Sequence, residues 1–325
     1  MIIESMAKKE EAILENYKKI LEKLDGIEQK VDTLHTIINS DYNSPEFKNA
    51  VKAVLNLKEK RGHEVNSYNS IPMESLIERD WEIKNNKVKT GDRRLDDLLV
   101  GGIPIGSNVA IYGPPYTGKE VTINQFIADG LHKEIPVICI LTDGLVNEFK
   151  EELSFLRVNT ENYEKKGLLR YVDAFSQSIE VEEKNPNAII VDKPGNIRAI
   201  LKEVDLISTD LLKAHSNYRL AFRSLSSVIC ATGIDKTYET LQKFVGKRKN
   251  EKAVSMYAID KGMHDEQDVH KVFKLMDGAI EYKIEQLKTF LCIKGIGDVQ
   301  TRTWVDYTYS RCGLNIGSFC LSDVK

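Results

Sequence analysis

The spacing of hydrophobic and polar positions changes character along this chain. Over residues 3–38, Ile3, Met6, Ile13, Tyr17, Ile20, Leu24, Ile27, Val31, Leu34 and Ile38 step by alternating threes and fours, with Glu10 as the polar member. Charged residues fill most positions between, as in a coiled-coil seam buried against another helix. An amphipathic helix packed on the chain's own domain would carry the same pattern, so both arrangements stay open. Gly26 lowers helix propensity locally without breaking the seam. Asp41 to Ser44 read as a turn, and Pro45 suits the first turn of a second helix running to about Arg61. The Asn- and Ser-rich residues 62–70 read as a linker, and residues 71–89, with Trp81, as an adaptor.

From Thr90 onward, short apolar runs alternate with helical segments. The runs predict strands at Val109–Tyr112, Val137–Thr142, Leu168–Val172, Leu220–Ile229, Ala253–Ile259, Ala279–Ile284 and Thr289–Ile293. Such alternation implies an α/β fold with a mostly parallel sheet flanked by helices on both faces. The predicted organisation is a coiled-coil helix over 1–40, a helix plus linker or adaptor over 41–89, and one large domain over 90–325. No internal repeat is evident.

Composition narrows the function classes. A hydrophobic fraction of 42% and a charged fraction of 29% are ordinary for a soluble globular protein. The net charge of -3 supplies no basic field for nonspecific nucleic-acid binding, and the run Lys247-Arg248-Lys249 is short and soon followed by Glu251. A recombinase-like DNA-binding protein is disfavoured, because no basic stripe with interleaved aromatics is visible. No apolar run approaches the length of a membrane span, and no basic region followed by an apolar stretch opens the chain, so the expected location is the cytoplasm. The five cysteines have neither disulfide-framework nor zinc spacing. His264 and His270 lack a third ligand, and no metal site is predicted from them.

Candidate chemistry begins at residue 113. Gly113-Pro114-Pro115-Tyr116-Thr117-Gly118-Lys119-Glu120 is a phosphate-binding loop complete except for its last position. The strand Val109–Tyr112 leads in, and a helical pattern through Val121 leads out, which is the context such a loop requires. Loop amides and the helix N-terminus wrap a di- or triphosphate, and Lys119 adds a point charge. The pattern demands Ser or Thr after the lysine to coordinate Mg²⁺, and here the residue is Glu120.

Further motifs make the match specific. Thr90-Gly91, Leu95-Asp96-Asp97-Leu98-Leu99, Gly101-Gly102-Ile103-Pro104 and Gly106-Ser107 precede the loop. Tyr171 to Ser176, Gly262 to Gln267, Leu275 to Glu281 and Gly317-Ser318-Phe319 follow it. From Thr90 to the C-terminus the chain resembles the archaeal KaiC-like branch of the RecA superfamily. The resemblance implies a RecA-like domain that binds ATP between neighbours of a ring, commonly a hexamer.

Against that pattern four parts are altered. Glu120 replaces the metal-binding hydroxyl. Thr142-Asp143 stands where paired acids are usual, leaving Asp143 as the single candidate general base. Ala188 to Asp192 looks like a Walker B strand, but Lys193-Pro194-Gly195 follows it and matches a family segment that opens a helix by Asn196. The segment Leu220 to Ser227 carries the family's strand and its Ser-Leu-Ser tail, which puts Arg223 where the Walker B Asp belongs. Lys294 matches the first member of a basic pair that acts in trans, and Ile296 occupies the place of its second.

Glu120 and Arg223 would be neighbours beside the metal position, so a salt bridge between them is expected to fill it with a guanidinium. The opposing arrangement sends Glu120 to solvent and Arg223 off the strand end. The resulting expectation is an ATP- or ADP-binding regulatory or scaffolding protein with little or no hydrolysis. Its oligomer or partner contact would come from a ring, the N-terminal coiled coil, or both. The alternative is an active Mg²⁺-dependent ATPase acting in signalling, in which Glu120 itself ligates the metal; whether Mg²⁺ is needed is open.

Overall fold

The computed structural model describes residues 73–317. The expected coiled-coil helix, second helix and linker and the motif residues Ser318-Phe319 lie outside them. Much of the expected adaptor is a helix, α1 (Met73–Asn85). A two-stranded antiparallel ribbon follows, β1 (Lys87–Val88) with β2 (Ile103–Pro104), and the short helix α2 (Arg93–Leu98) lies between them in the chain. Asp92 caps α2 by accepting from the Leu95 N–H at 2.9 Å, a contact that satisfies a donor the helix cannot.

The main sheet has ten strands. In chain order the elements are β3 (Asn108–Gly113), α3 (Lys119–His132), β4 (Val137–Leu141), α4 (Val146–Ser154), α5 (Thr160–Lys165), β5 (Leu169–Asp173), β6 (Ala188–Ile190) and α6 (Ile197–Leu211). Then come β7 (Arg219–Phe222), α7 (Leu225–Thr232), α8 (Ile234–Asn250), β8 (Val254–Asp260), α9 (Glu266–Phe273), β9 (Gly278–Glu285), β10 (Lys288–Gly295), β11 (Val305–Ser310) and β12 (Gly313–Ile316). Their spatial order is β12-β11-β10-β9-β3-β8-β7-β4-β5-β6. The strands from β9 to β6 run parallel, and β9 to β12 form an antiparallel extension.

Strand alternation divides the core between two faces. Val109 and Ile111 of β3 and Val137, Cys139 and Leu141 of β4 join a cluster with Ile123, Phe126 and Ile127 of α3. Ala110, Tyr112, Ile138 and Ile140 point the other way, into a cluster with residues of α6, α7 and α8. Both faces are covered, so the central strands are continuous apolar runs, as a parallel sheet requires. Truncating a fully buried member such as Ile111 to Ala would cost about 2–5 kcal/mol.

Two expectations about elements are corrected. The strand drawn over Leu220–Ile229 ends at Phe222. Ser224 then turns the chain by accepting from the Ser227 N–H at 3.3 Å, and residues from Leu225 become α7. The C-terminal strands β11 and β12, absent from the predicted set, complete the sheet.

This topology places the site. Gly113 pairs with Asp260 in register, Phe222 with Ile140 and with Tyr257, so the carboxyl ends of β3, β8, β7 and β4 come together at one edge. Ligands of open α/β sheets bind beyond that edge. No helix among the described residues is long and apolar enough to cross a membrane.

Candidate nucleotide site

The loop between β3 and α3 has the shape its sequence requires. Gly118 sits at φ +73°, and a Cβ there would lie 2.5 Å from the Tyr309 ring, so glycine serves both the backbone turn and the close approach. Thr117 Oγ1 donates to the Pro114 carbonyl at 2.8 Å and closes the loop on itself. Two tyrosines of β11 hold it from above: Tyr307 Oη donates to the Thr117 carbonyl and Tyr309 Oη to the Tyr116 carbonyl at 2.7 Å. Tyr116 itself projects into solvent. At the start of α3 come N–H groups that the helix cannot satisfy internally, together with its positive dipole end.

Lys119 is buried at this point and held by two carboxylates. Its Nζ lies 2.6 Å from Glu120 Oε1 and 2.7 Å from Asp260 Oδ1 at the end of β8. Burial alone would depress the ammonium, but Glu120 and Asp260 outweigh it and hold its pKa above the ordinary lysine value. The carboxylates therefore occupy the lysine that a bound phosphate would take.

The expected Glu120–Arg223 bridge does not form. Arg223 follows β7 and turns toward α3 and α4, where Nη1 donates to Asn124 Oδ1 at 2.5 Å and Nη2 to Glu152 Oε2 at 2.8 Å. Its guanidinium lies 5.0 Å from the Phe149 ring, so stacking and two charge-assisted contacts outcompete Glu120, which Lys119 already satisfies. Asp143, beyond β4, is exposed. Desolvation raises its pKa; Arg223 opposes the shift, while Asp260 and Glu120 add to it. Thr142 Oγ1 donates to the Ser224 carbonyl at 2.5 Å, tying the ends of β4 and β7 together.

A cleft of about 710 Å³ opens from the loop. It runs from Gly118, Lys119 and Glu120 to Phe155 after α4 and to Tyr309 and Arg311 of the C-terminal hairpin. The Arg311 guanidinium stacks 5.0 Å from the Phe155 ring. That volume falls in the range of small-molecule and cofactor sites. Lys294 is outside this lining; on β10 it pairs with Glu281 at 2.8 Å, and Ile296 is buried.

Sequence reasoning brought Lys119, Glu120 and Arg223 to one region and missed Asp260, Asn124, Glu152 and Tyr309. The first of these was visible as an acid closing the strand Ala253–Ile259. The residues do not fit the usual Mg²⁺ seat: the hydroxyl is absent, Glu120 is engaged by Lys119, and a guanidinium, Arg223, follows β7. Among the described residues no group of three or more His, Cys, Asp or Glu side chains is placed to hold a metal ion.

A mostly parallel sheet, a phosphate loop between β3 and α3, and β8 inserted between β3 and β7 define a RecA-like P-loop protein. The chain belongs to the KaiC ATPase family, whose model matches residues 88–289. It is 30% identical to a UPF0273 protein of Aeropyrum pernix over 36% of this chain and 48% of that protein. Identity to a UPF0273 protein of Thermotoga maritima is 34%, over 36% of this chain and 49% of the relative. The chain thus spans about half the length of these curated relatives. A KaiC-like protein from Pyrococcus horikoshii superposes with a TM-score of 0.57 at 18% identity, covering 71% of this chain and 99% of that one, a likeness of fold.

Proposed function

We propose that this chain is a nucleotide-responsive regulatory or scaffolding member of the KaiC ATPases, which holds ATP or ADP with little or no hydrolysis. The observation that carries this reading is a phosphate cradle preserved beside a displaced metal seat. Lys119 and the loop amides stand where phosphates bind, while Glu120 and Arg223 have replaced the groups that seat Mg²⁺ and have taken other partners. With the phosphates on the loop, the cleft directs the base toward Tyr309 and the Phe155–Arg311 stack. Asp143 alone would have to orient water, and Ile296 removes a cation from the pair the family uses in trans. Family membership also supports a homo-oligomeric ring, such as a hexamer, with residues 1–40 supplying a coiled-coil contact to a copy or a partner.

A titration with labelled ATP and ADP, in Mg²⁺ and in EDTA, tests the reading. Binding in both conditions, lost in Lys119→Ala and accompanied by negligible phosphate release, is expected. Robust steady-state hydrolysis abolished by Lys119→Ala would overturn it. So would strict Mg²⁺ dependence, which would favour the ATPase in which Glu120 ligates the metal.

A further inference from the structure

Helix α1 lies wholly before residue 88, where the family match begins. Its Glu82 is nevertheless buried at the centre of an ion network on the domain. Glu82 Oε1 accepts from Lys133 Nζ at 2.8 Å, from Arg219 Nη2 at 3.1 Å and from the Lys89 N–H at 2.9 Å. Asp129 Oδ2 takes the same two cations, at 2.8 Å and 2.7 Å. Glu82, Lys133 and Arg219 are each only 1% exposed. Two enclosed cations are thus balanced by two carboxylates, and one of those arrives only with α1. Glu78 also reaches Lys133, at 3.3 Å, but from a half-exposed position.

The network grips the helix that carries the phosphate loop. Asp129 lies in the last turn of α3, and Lys133 caps its end. Arg219, the first residue of β7, donates through Nη1 to the Phe126 carbonyl at 2.5 Å and lies 4.7 Å from the Phe126 ring. Gly130 makes the fit possible, since a Cβ there would lie 2.7 Å from Arg219 Cδ. The C-terminal half of α3 is therefore seated on Arg219, and Arg219 is neutralised by Glu82 together with Asp129 of the helix itself. Withdrawing that carboxylate strands positive charge in the interior, which is strongly unfavourable.

We infer that Glu82 is a positioning residue for the phosphate site: by neutralising Lys133 and Arg219 it fixes the seat of α3, so displacing α1 loosens the loop at the other end of that helix. Residues 1–72 join the chain at α1, so a partner or copy engaging them gains a route to the nucleotide site. For this consequence the inference rests on the nucleotide reading above.

Hydrogen exchange on the full chain without nucleotide tests the coupling. In Glu82→Gln, amides 121–126 should exchange about tenfold faster or more, with α8 unchanged, as sub-global opening predicts. Glu82→Gln/Lys133→Gln, which removes one charge of each sign, should bring those amides back to within about threefold of wild type. Labelled-ADP affinity should fall and recover in the same order. Faster exchange confined to residues 73–90, an equal increase across α8, or a double variant as loose as the single one would overturn the inference. Should Glu82→Gln fail to fold, Glu82→Asp withdraws the charge by one methylene. About threefold faster exchange at 121–126 is then expected, and an unchanged rate overturns the idea. Because exchange needs no nucleotide, a wild-type chain that binds none overturns the nucleotide reading while the exchange pattern still decides this one.

Discussion

Replacing Asp260 by Asn should tighten nucleotide binding, although it removes a partner of the phosphate-loop lysine. In the folded chain Lys119 is shared by Asp260 at 2.7 Å and Glu120 at 2.6 Å. A phosphate that takes the ammonium must displace both and then sit beside them. Two unit charges about 4 Å apart interact by about 4 kcal/mol at an effective dielectric of 20, and by about 1 kcal/mol in water. Asp260 is the more enclosed, with 18% of its side chain exposed against 40% for Glu120. Its repulsion should therefore keep more of the larger value, and that of Glu120 should fall close to the screened one. Allowing for solvent, about 1.5–3 kcal/mol is expected for Asp260→Asn and below about 1 kcal/mol for Glu120→Gln.

At 1.4 kcal/mol per decade, those figures mean about 10–100-fold tighter binding for Asp260→Asn and less than about fivefold for Glu120→Gln. Both amides keep the shape and remove the charge. Fluorescence anisotropy with labelled ADP in EDTA reads the effect without a metal to confuse it. Unchanged or weaker binding by Asp260→Asn would refute the reasoning, because the carboxylate would then be organising the site and not competing for it. A larger gain at Glu120 than at Asp260 would also contradict the burial argument.

Two further outcomes concern stability. Burial raises Asp96 to about 7, far above the ordinary aspartate value, even though it accepts from the Thr90 N–H and hydroxyl. The folded state thus retains a proton that the unfolded chain releases near pH 4, so stability from this group is full below about pH 4 and is lost as pH rises through 7. Asp96→Asn should remove that slope. In urea melts it should be more stable than wild type at pH 8, by up to about 4 kcal/mol, with the gain vanishing near pH 4; a gain that grows toward acid would refute the assignment. Gly130→Ala should lower Tm, because its Cβ meets the buried Arg219 at 2.7 Å, and overpacking of about 1–3 kcal/mol exceeds the helix-propensity gain of up to about 1 kcal/mol. A variant as stable as wild type would show that Arg219 can move aside.

The parallel core of the fold was legible because its strands are apolar on both faces and punctuated by the loop at Gly113. The antiparallel extension was less so. Val305, Tyr307 and Tyr309 alternate with Asp306, Thr308 and Ser310, a half-buried pattern that a search for continuous apolar runs passes over. In the run after Leu220, hydrophobicity suggested one long strand, but Ser224 supplied a helix cap within it. The positions of Glu120 and Arg223 could be matched to motifs, whereas their partners could not. Phe149, Glu152 and Asn124 reach Arg223 from α4 and α3, through packing that no local spacing encodes.

The two ends of α3 explain why the site keeps its shape with Lys119 in place. A cation in the first turn opposes the helix dipole, and in a nucleotide-bound P-loop the phosphates offset that conflict. In this chain Glu120, an acid in the first turn, and Asp260, an acid from the neighbouring strand, do so internally. At the other end Lys133 is favoured by the dipole, and its burial is offset by Glu82 and Asp129. Neither buried lysine of α3 is left without a carboxylate. Nucleotide arriving at Lys119 would accordingly exchange anions and not fill a bare cationic site. The carboxylate it releases, Asp260, opens the segment that leads into α9. On the proposed reading, exchange at that residue would let the protein register nucleotide without cleaving it.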